Sequence, residues 1–125
     1  MYGIPKPSAH ENADSFSYKQ WFLKVYNYVL SQVKIKTTTA AYTIEADIFY
    51  IRVDATSGAI TVTLPVATNC GGRQVAIKKI DSSVNSVTIA RASTDTIEGS
   101  ASMALASQWD KQTLISNGVD AWEKL

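Results

Sequence analysis

The sequence predicts a mainly β protein in which an N-terminal arm and one α-helix precede a compact antiparallel β-sandwich or barrel-like domain. Three observations support this fold class. Short runs of alternating apolar and polar residues recur from Thr37 onward, and residues 60–64 show the clearest alternation. Asn117-Gly118 separates two strand-like runs, which is typical of a tight type I′ hairpin turn. No helical period separates the strands, which argues against folds built from strand–helix–strand units.

Composition narrows the class of protein further. The 125 residues are 46% hydrophobic, carry a net charge of +1, and include one Cys and one His. This length is typical of one domain, and the apolar content argues against intrinsic disorder. One Cys cannot form an intrachain disulfide, and a structural zinc site needs about four Cys or His ligands. Because no signal peptide or membrane-length apolar run is visible, we expect a soluble protein made in a cytoplasm, without membrane insertion.

The near-neutral total hides two different parts of the chain. Residues 1–36 contain five bases and two acids, a net charge of +3, whereas residues 37–125 contain seven bases and nine acids, a net charge of −2. Residues 16–28 hold six of the twelve aromatic side chains. We therefore predict an anchoring or oligomerising segment over 1–36 and a β domain over 37–125.

The N-terminal segment is predicted to combine an extended arm with an amphipathic helix. Two prolines disfavour helix in residues 1–11, and Asp14 or Ser15 is a suitable cap for a helix ending near Val33. The helix is apolar on more than one side, so we expect it to pack on its own sheet and also on another copy or a partner. The candidate interface residues are Tyr18, Trp21, Phe22, Val25, Tyr26 and Val29.

Short strands follow at close intervals, as in sandwiches and barrels. They are predicted at 41–44, 47–53, 60–64, 74–80, 87–89, 96–97, 103–105, 113–115 and 119–125. In the second of them, strict alternation places Phe49, Ile51 and Val53 on one face and Ile48 and Tyr50 on the other.

The polar residues do not combine into a recognisable catalytic, metal or cofactor site. His10 lies in the arm, so no base is fixed beside a nucleophile. Cys70 has only Arg73 as a neighbouring cation, and we interpret it as an unreactive thiol. Six acids fall at predicted turns or strand ends, where such side chains commonly bond their own backbone: Asp54, Asp81, Asp95, Glu98, Asp110 and Asp120. We therefore predict no enzymatic activity and no cofactor.

Cations and tryptophans of the β domain offer weaker signals. Arg73, Lys78, Lys79 and Arg91 are candidates for a weak basic patch. A solvated strand face explains these bases better because acids outnumber bases in this part, so no specific nucleic-acid binding is expected. Trp122 is predicted to be a core residue. Trp109 is a candidate glycan contact, although packing within the protein is the preferred interpretation for it.

Seven short segments of the β part form a distinctive series. They are Tyr42-Thr43-Ile44, Val53-Asp54-Ala55-Thr56-Ser57-Gly58, Ile60-Thr61-Val62-Thr63-Leu64-Pro65, Ile77-Lys78-Lys79-Ile80-Asp81, Asn85-Ser86-Val87-Thr88-Ile89, Asp95-Thr96-Ile97-Glu98-Gly99 and Ser116-Asn117-Gly118 followed by Trp122. In this order and spacing, the segments together resemble a module found in virion proteins of tailed bacteriophages. The module occurs in tail-fibre, head-fibre and capsid-decoration proteins, and the resemblance covers about two thirds of the chain. It implies a compact antiparallel β domain, a homotrimer and a location in the virion after synthesis in the host bacterium.

Three functions are compatible with this resemblance. In the first, the protein is a capsid decoration, cement or short head-fibre subunit whose residues 1–36 bind capsid or tail proteins and other copies of the chain. In the second, it is a short tail-fibre or host-adhesion subunit that contacts cell-surface glycan through Trp109. The third, a depolymerase, ranks last because no acid–base pair is evident. A long fibre is not expected, since only one short helix precedes the β domain.

Overall fold

The computed structural model describes residues 19–25 and 34–125, which belong to two compact units divided between Val33 and Lys34. Residues 19–25 are α-helical, in agreement with the predicted helix, whose other residues lie outside the described part. The second unit contains ten strands: β1 (Lys34–Thr38), β2 (Tyr42–Thr43), β3 (Ile48–Val53), β4 (Ile60–Thr63), β5 (Gln74–Lys79), β6 (Val87–Ala90), β7 (Thr96–Ile97), β8 (Ser102–Leu105), β9 (Lys111–Ser116) and β10 (Ala121–Lys124). A single 3-10 turn, Ala67–Asn69, lies between β4 and β5.

The strands form two sheets, and the first six strands alternate between them. The larger sheet has the order β1-β3-β5-β9-β10-β7, and the smaller sheet has the order β2-β4-β6-β8. The first three pairs of strands, β1 with β2, β3 with β4 and β5 with β6, each make one coil of a short β-solenoid with one strand in each sheet. Strands β8 and β9 then add to the last coil in the antiparallel sense.

The predicted antiparallel pairing was wrong for most of the domain. Of the eight strand pairings among the described residues, five are parallel: β1 with β3, β3 with β5, β2 with β4, β4 with β6, and β10 with β7. Parallel neighbours need a long crossover, which is usually a helix. In the first three coils a strand of the opposite sheet makes this crossover, so the absence of helices did not require antiparallel strands.

One hydrophobic core joins the inner faces of the two sheets. The alternation predicted for residues 60–64 is confirmed, because Ile60, Val62 and Leu64 are all buried in this core. Trp122 is also confirmed as a core residue, with a fully buried side chain whose Nε1 donates to the Pro65 carbonyl oxygen at 3.0 Å. The two-sheet, mainly β class predicted from the sequence is thus correct.

The first coil departs from the predicted pattern in two places. Strand β1 begins at Lys34, so residues 34–36 belong to the sheet. The charge distribution had assigned them to the N-terminal segment. In β3 the register slips by one residue, because Lys34 faces Ile48 whereas Ile35 faces Tyr50. This bulge buries Ile48 and leaves Phe49 39% exposed, which reverses the predicted faces at these two positions.

The Asn117-Gly118 signal marks a real hairpin, although the predicted type I′ turn was wrong. Strands β9 and β10 pair antiparallel through residues 117–120, and Gly118 has a positive φ of 78° whereas Asn117 does not. The Asn117 Oδ1 atom instead accepts hydrogen bonds from the backbone N–H groups of Val119, Asp120 and Ala121. A side-chain cap therefore replaces the tighter turn.

Candidate functional site

The helical residues 19–25 contain three of the six predicted interface residues. The rings of Trp21 and Phe22 meet edge to face, with centroids 6.3 Å apart and an interplanar angle of 81°. Phe22 is 61% exposed, and Val25 is partly buried. Tyr18, Tyr26 and Val29 lie outside the described residues. The interface role of all six remains a prediction.

Trp109 lies on the surface, in the turn between β8 and β9, and is not packed in the core. Its side chain is 57% exposed and its backbone has φ = 71°, a left-handed conformation that bulky residues rarely adopt. The Asp110 carboxylate accepts hydrogen bonds from the N–H groups of Ala106 and Ser107 at 3.1 and 2.9 Å. Gln108 Nε2 donates to the Ile80 carbonyl oxygen at 3.1 Å. These bonds hold the turn in place and present the Trp109 ring to solvent, against the preferred interpretation from sequence.

Beside Trp109, three cationic side chains share one row across the outer face of the larger sheet. Arg52 of β3 is paired with Lys78 of β5, and Lys78 is paired with Lys111 of β9. Arg52 and Lys78 each lie between two fully buried residues of their strands, so they point away from the core. The Lys78 Nζ atom lies 5.4 Å from the centroid of the Trp109 ring. We call Arg52, Lys78, Lys111 and Trp109 the cationic row.

The basic patch considered from sequence does not form, because its members have different surroundings. Arg73 donates through Nη2 to the carbonyl oxygens of Glu45 and Ile48, both at 2.6 Å. Arg91 follows β6 in the other sheet, and Lys79 is fully buried. Interpreting Lys79 as part of a solvated face was wrong. Lys79 alternates with the same period as the buried residues Val75 and Ile77, and this spacing in the sequence indicates burial of Lys79.

Lys79 and Asp81 form a buried ion pair at the end of β5. Lys79 Nζ lies 2.6 Å from Asp81 Oδ2, and the two side chains are 0% and 4% exposed. Asp81 Oδ1 accepts the Ala55 N–H at 2.7 Å. Asp81 Oδ2 accepts the Ser83 N–H at 3.0 Å and also the Ser83 hydroxyl. The pair therefore ties β5 to the loop that follows β3, which is a structural role.

The surroundings of Asp81 hold its pKa well below the usual carboxyl range. Burial raises this pKa, but hydrogen bonds from Lys79, from the Ser83 hydroxyl and from the N–H groups of Ala55 and Ser83 lower it by more. A carboxyl group with a lowered pKa in the folded state stabilises the fold above its unfolded pKa of about 4, and this contribution is lost as the pH falls further.

We therefore expect the free energy of unfolding to fall as the pH is lowered from about 5 to 2. Urea denaturation at several pH values measures this slope. Asp47 and Asp54 contribute in the same direction, because hydrogen bonds from Lys34 and Thr56 lower their pKa values. In Asp81→Asn the slope should be shallower than in the native protein. Equal slopes in the two proteins would contradict this role of Asp81.

Other carboxylates at strand ends also accept hydrogen bonds from backbone N–H groups. Asp54 accepts the Thr56 N–H at 3.0 Å, as expected for a carboxylate that bonds its own turn. Asp95 is buried and accepts the N–H of Ala67, 28 positions away, at 2.8 Å. Asp81 and Asp95 thus exceed the local role predicted for them, since both join distant loops.

The small residues around Cys70 serve packing. Cys70 Sγ lies 3.1 Å from the Val66 carbonyl oxygen, and the side chain is partly buried against the core. A Cβ atom on Gly71 would lie 3.0 Å from the Cα of Gly118. The close approach of the β9–β10 loop therefore requires glycine at position 71. Within residues 19–25 and 34–125, no three His, Cys, Asp or Glu side chains are grouped to hold a metal ion.

A comparison with models of known protein families finds no match, and a comparison with functionally characterised proteins finds no significant sequence similarity. In the described part of the chain, no helix is long and apolar enough to cross a membrane.

Proposed function

We propose that the protein is a structural component of a bacteriophage virion, either a capsid decoration or cement protein or a short head-fibre subunit. The observation that carries this proposal is the division of the chain into two unlike parts. Residues 34–125 form a compact unit with its own core and nine bases against nine acids. Residues 1–33 carry three bases against two acids and hold seven of the twelve aromatic side chains. This division fits an N-terminal anchor and a self-contained outer β domain.

The proposed role is non-enzymatic. This proposal is supported by the structural role of four carboxylates in the β domain. Backbone N–H groups donate to Asp54, Asp81, Asp95 and Asp110. A carboxylate that holds a loop in this way is poorly placed to exchange protons with a substrate.

Self-association is part of the same proposal. Aromatic side chains are enriched in protein interfaces, and Phe22 and Leu23 of the helical residues 19–25 are 61% and 57% exposed. We propose that the helix predicted from Asp14 or Ser15 to near Val33 assembles three copies and contacts the capsid. Multi-angle light scattering of the full chain at micromolar concentration should give three times the 13.6 kDa chain mass.

Binding to phage particles assembled without this protein tests the anchor. The full chain should bind, and a chain consisting of residues 34–125 should not, because the anchor is missing. Trp21→Ser/Phe22→Ser should weaken binding, whereas Val84→Ser, which alters a 95% exposed apolar residue of the β domain, should not. Full binding by residues 34–125 would contradict the proposal.

A host-adhesion subunit that binds cell-surface glycan is the second candidate. The observation that favours it is Trp109, which is 57% exposed on a rigidly held turn. Glycan-array screening and host adsorption by phage lacking the protein test this candidate.

A further inference from the structure

We propose that the cationic row is a binding site for a carboxylate-bearing polysaccharide, with the carboxylates at Arg52, Lys78 and Lys111 and a sugar ring against Trp109. This inference goes beyond the structural role above and does not depend on it. It gives a ligand class to the glycan-binding candidate.

Electrostatic repulsion between the neighbouring cations of the row is the first argument. Like charges at directly paired positions of a sheet destabilise it. Adjacent strands are about 4.8 Å apart, so three cations follow one another over about 10 Å. Among residues 19–25 and 34–125, the two ion pairs are Lys34–Asp47 and Lys79–Asp81, and neither involves the row. Arg52 bonds only a hydroxyl, that of Thr37, at 3.3 Å. An anionic ligand would relieve this repulsion.

The backbone of Trp109 is the second, independent argument. A left-handed conformation is unfavourable for a bulky residue, and residues held in such conformations cluster at active sites and ligand-binding sites. Glycine or asparagine would serve this turn with less strain. The hydrogen bonds of Asp110 and Gln108 fix the turn, so the exposed ring is already oriented for a ligand.

The charge distribution favours a polysaccharide over a nucleic acid. A duplex carries one phosphate charge per about 1.7 Å, and proteins that bind it typically neutralise several phosphates from a strongly basic surface. Here residues 34–125 contain nine bases and nine acids, and only three cations share the row. A chain with more widely spaced carboxylates and a sugar face for Trp109 matches these few charges better.

Titration of the full-length protein with defined probes tests the proposal. The probes are oligosaccharides of polygalacturonate, hyaluronate and polysialic acid, a neutral dextran oligosaccharide, and oligo-deoxythymidylate. We expect measurable affinity for at least one carboxylated probe, a decrease of that affinity with salt, and a change in tryptophan fluorescence on binding. The neutral probe should not bind, and oligo-deoxythymidylate should bind more weakly.

Two matched double variants separate the row from general charge. Lys78→Gln/Lys111→Gln should weaken binding about tenfold or more. Arg91→Gln/Lys124→Gln removes the same charge outside the row and should change affinity less than about twofold. Equal losses in the two variants would overturn the assignment.

Trp109→Asn separates binding from folding. It should weaken binding about tenfold while leaving the thermal midpoint unchanged or higher, because asparagine tolerates the left-handed backbone. The proposal is overturned if no carboxylated probe binds, if oligo-deoxythymidylate binds more tightly than all of them, or if Trp109→Asn binds as tightly as the native protein. None of these results depends on attachment to capsids, so they leave the virion role to its own test.

Discussion

Lys79→Met is expected to lower the free energy of unfolding by about 3–5 kcal/mol at neutral pH. The Lys79 and Asp81 side chains are 0% and 4% exposed and lie 2.6 Å apart, so removal of the ammonium group leaves a buried carboxylate without its counterion. Urea denaturation of the native protein and the variant measures the loss.

Lys78→Met is the matched control, since Lys78 is the preceding residue and points outward from the same strand. Its ammonium group contacts the Trp109 ring at 5.4 Å, and an exposed contact of this kind contributes about 0.5–1 kcal/mol. A similar small loss in both variants would contradict a structural role of the buried pair.

A double-mutant cycle with Asp81→Asn resolves the pair further. Asparagine keeps an oxygen for the Ala55 N–H but also brings N–H donors to a site crowded with donors from Lys79 and Ser83. The loss in Lys79→Met/Asp81→Asn should therefore be smaller than the sum of the two single losses.

Trp122→Ala is expected to destabilise the protein by about 3–5 kcal/mol, the usual loss for a fully buried large aromatic residue. Trp122 pairs with Ile97 of β7 on one side and Ser116 of β9 on the other, and its fully buried side chain belongs to the core between the sheets. The cavity would open between the two sheets. Thermal and urea unfolding both measure this effect.

Trp122→Phe distinguishes volume from hydrogen bonding. Phenylalanine keeps an aromatic ring but cannot donate to the Pro65 carbonyl oxygen, which Trp122 Nε1 approaches at 3.0 Å. An unsatisfied buried acceptor costs about 1–3 kcal/mol, so the loss should be intermediate. A change below about 0.5 kcal/mol in Trp122→Ala would contradict the central packing role of this residue.

Strand positions could be predicted from the sequence because the alternation of apolar and polar residues depends only on neighbouring positions in the chain. Residues 60–64 show the period of two, and the buried residues of β4 follow it. Strand order and direction could not be predicted, since nothing in the residues of β3 specifies a parallel neighbour 26 positions later in β5. The coils also differ in length, so no sequence repeat indicates a solenoid: β1 to β3 advances 14 residues and β3 to β5 advances 26.

The cationic row depends on register and was invisible in the sequence for the same reason. Arg52, Lys78 and Lys111 are far apart in the chain and become neighbours only through the pairing of β3, β5 and β9. By contrast, the burial of Lys79 had a sequence signal in its alternation with Val75 and Ile77. A charged side chain in phase with core residues is evidence for a buried partner, which here is Asp81.

The proposed function is tested most directly by searching for the protein in a cryo-EM map of the bacteriophage particle to which we assign it. The account predicts density for the β domain of residues 34–125 on the outside of the particle, in groups of three copies, with residues 1–33 in contact with the capsid. Intact particles that lack this density, in a phage whose infected host contains the protein, would contradict a structural virion role.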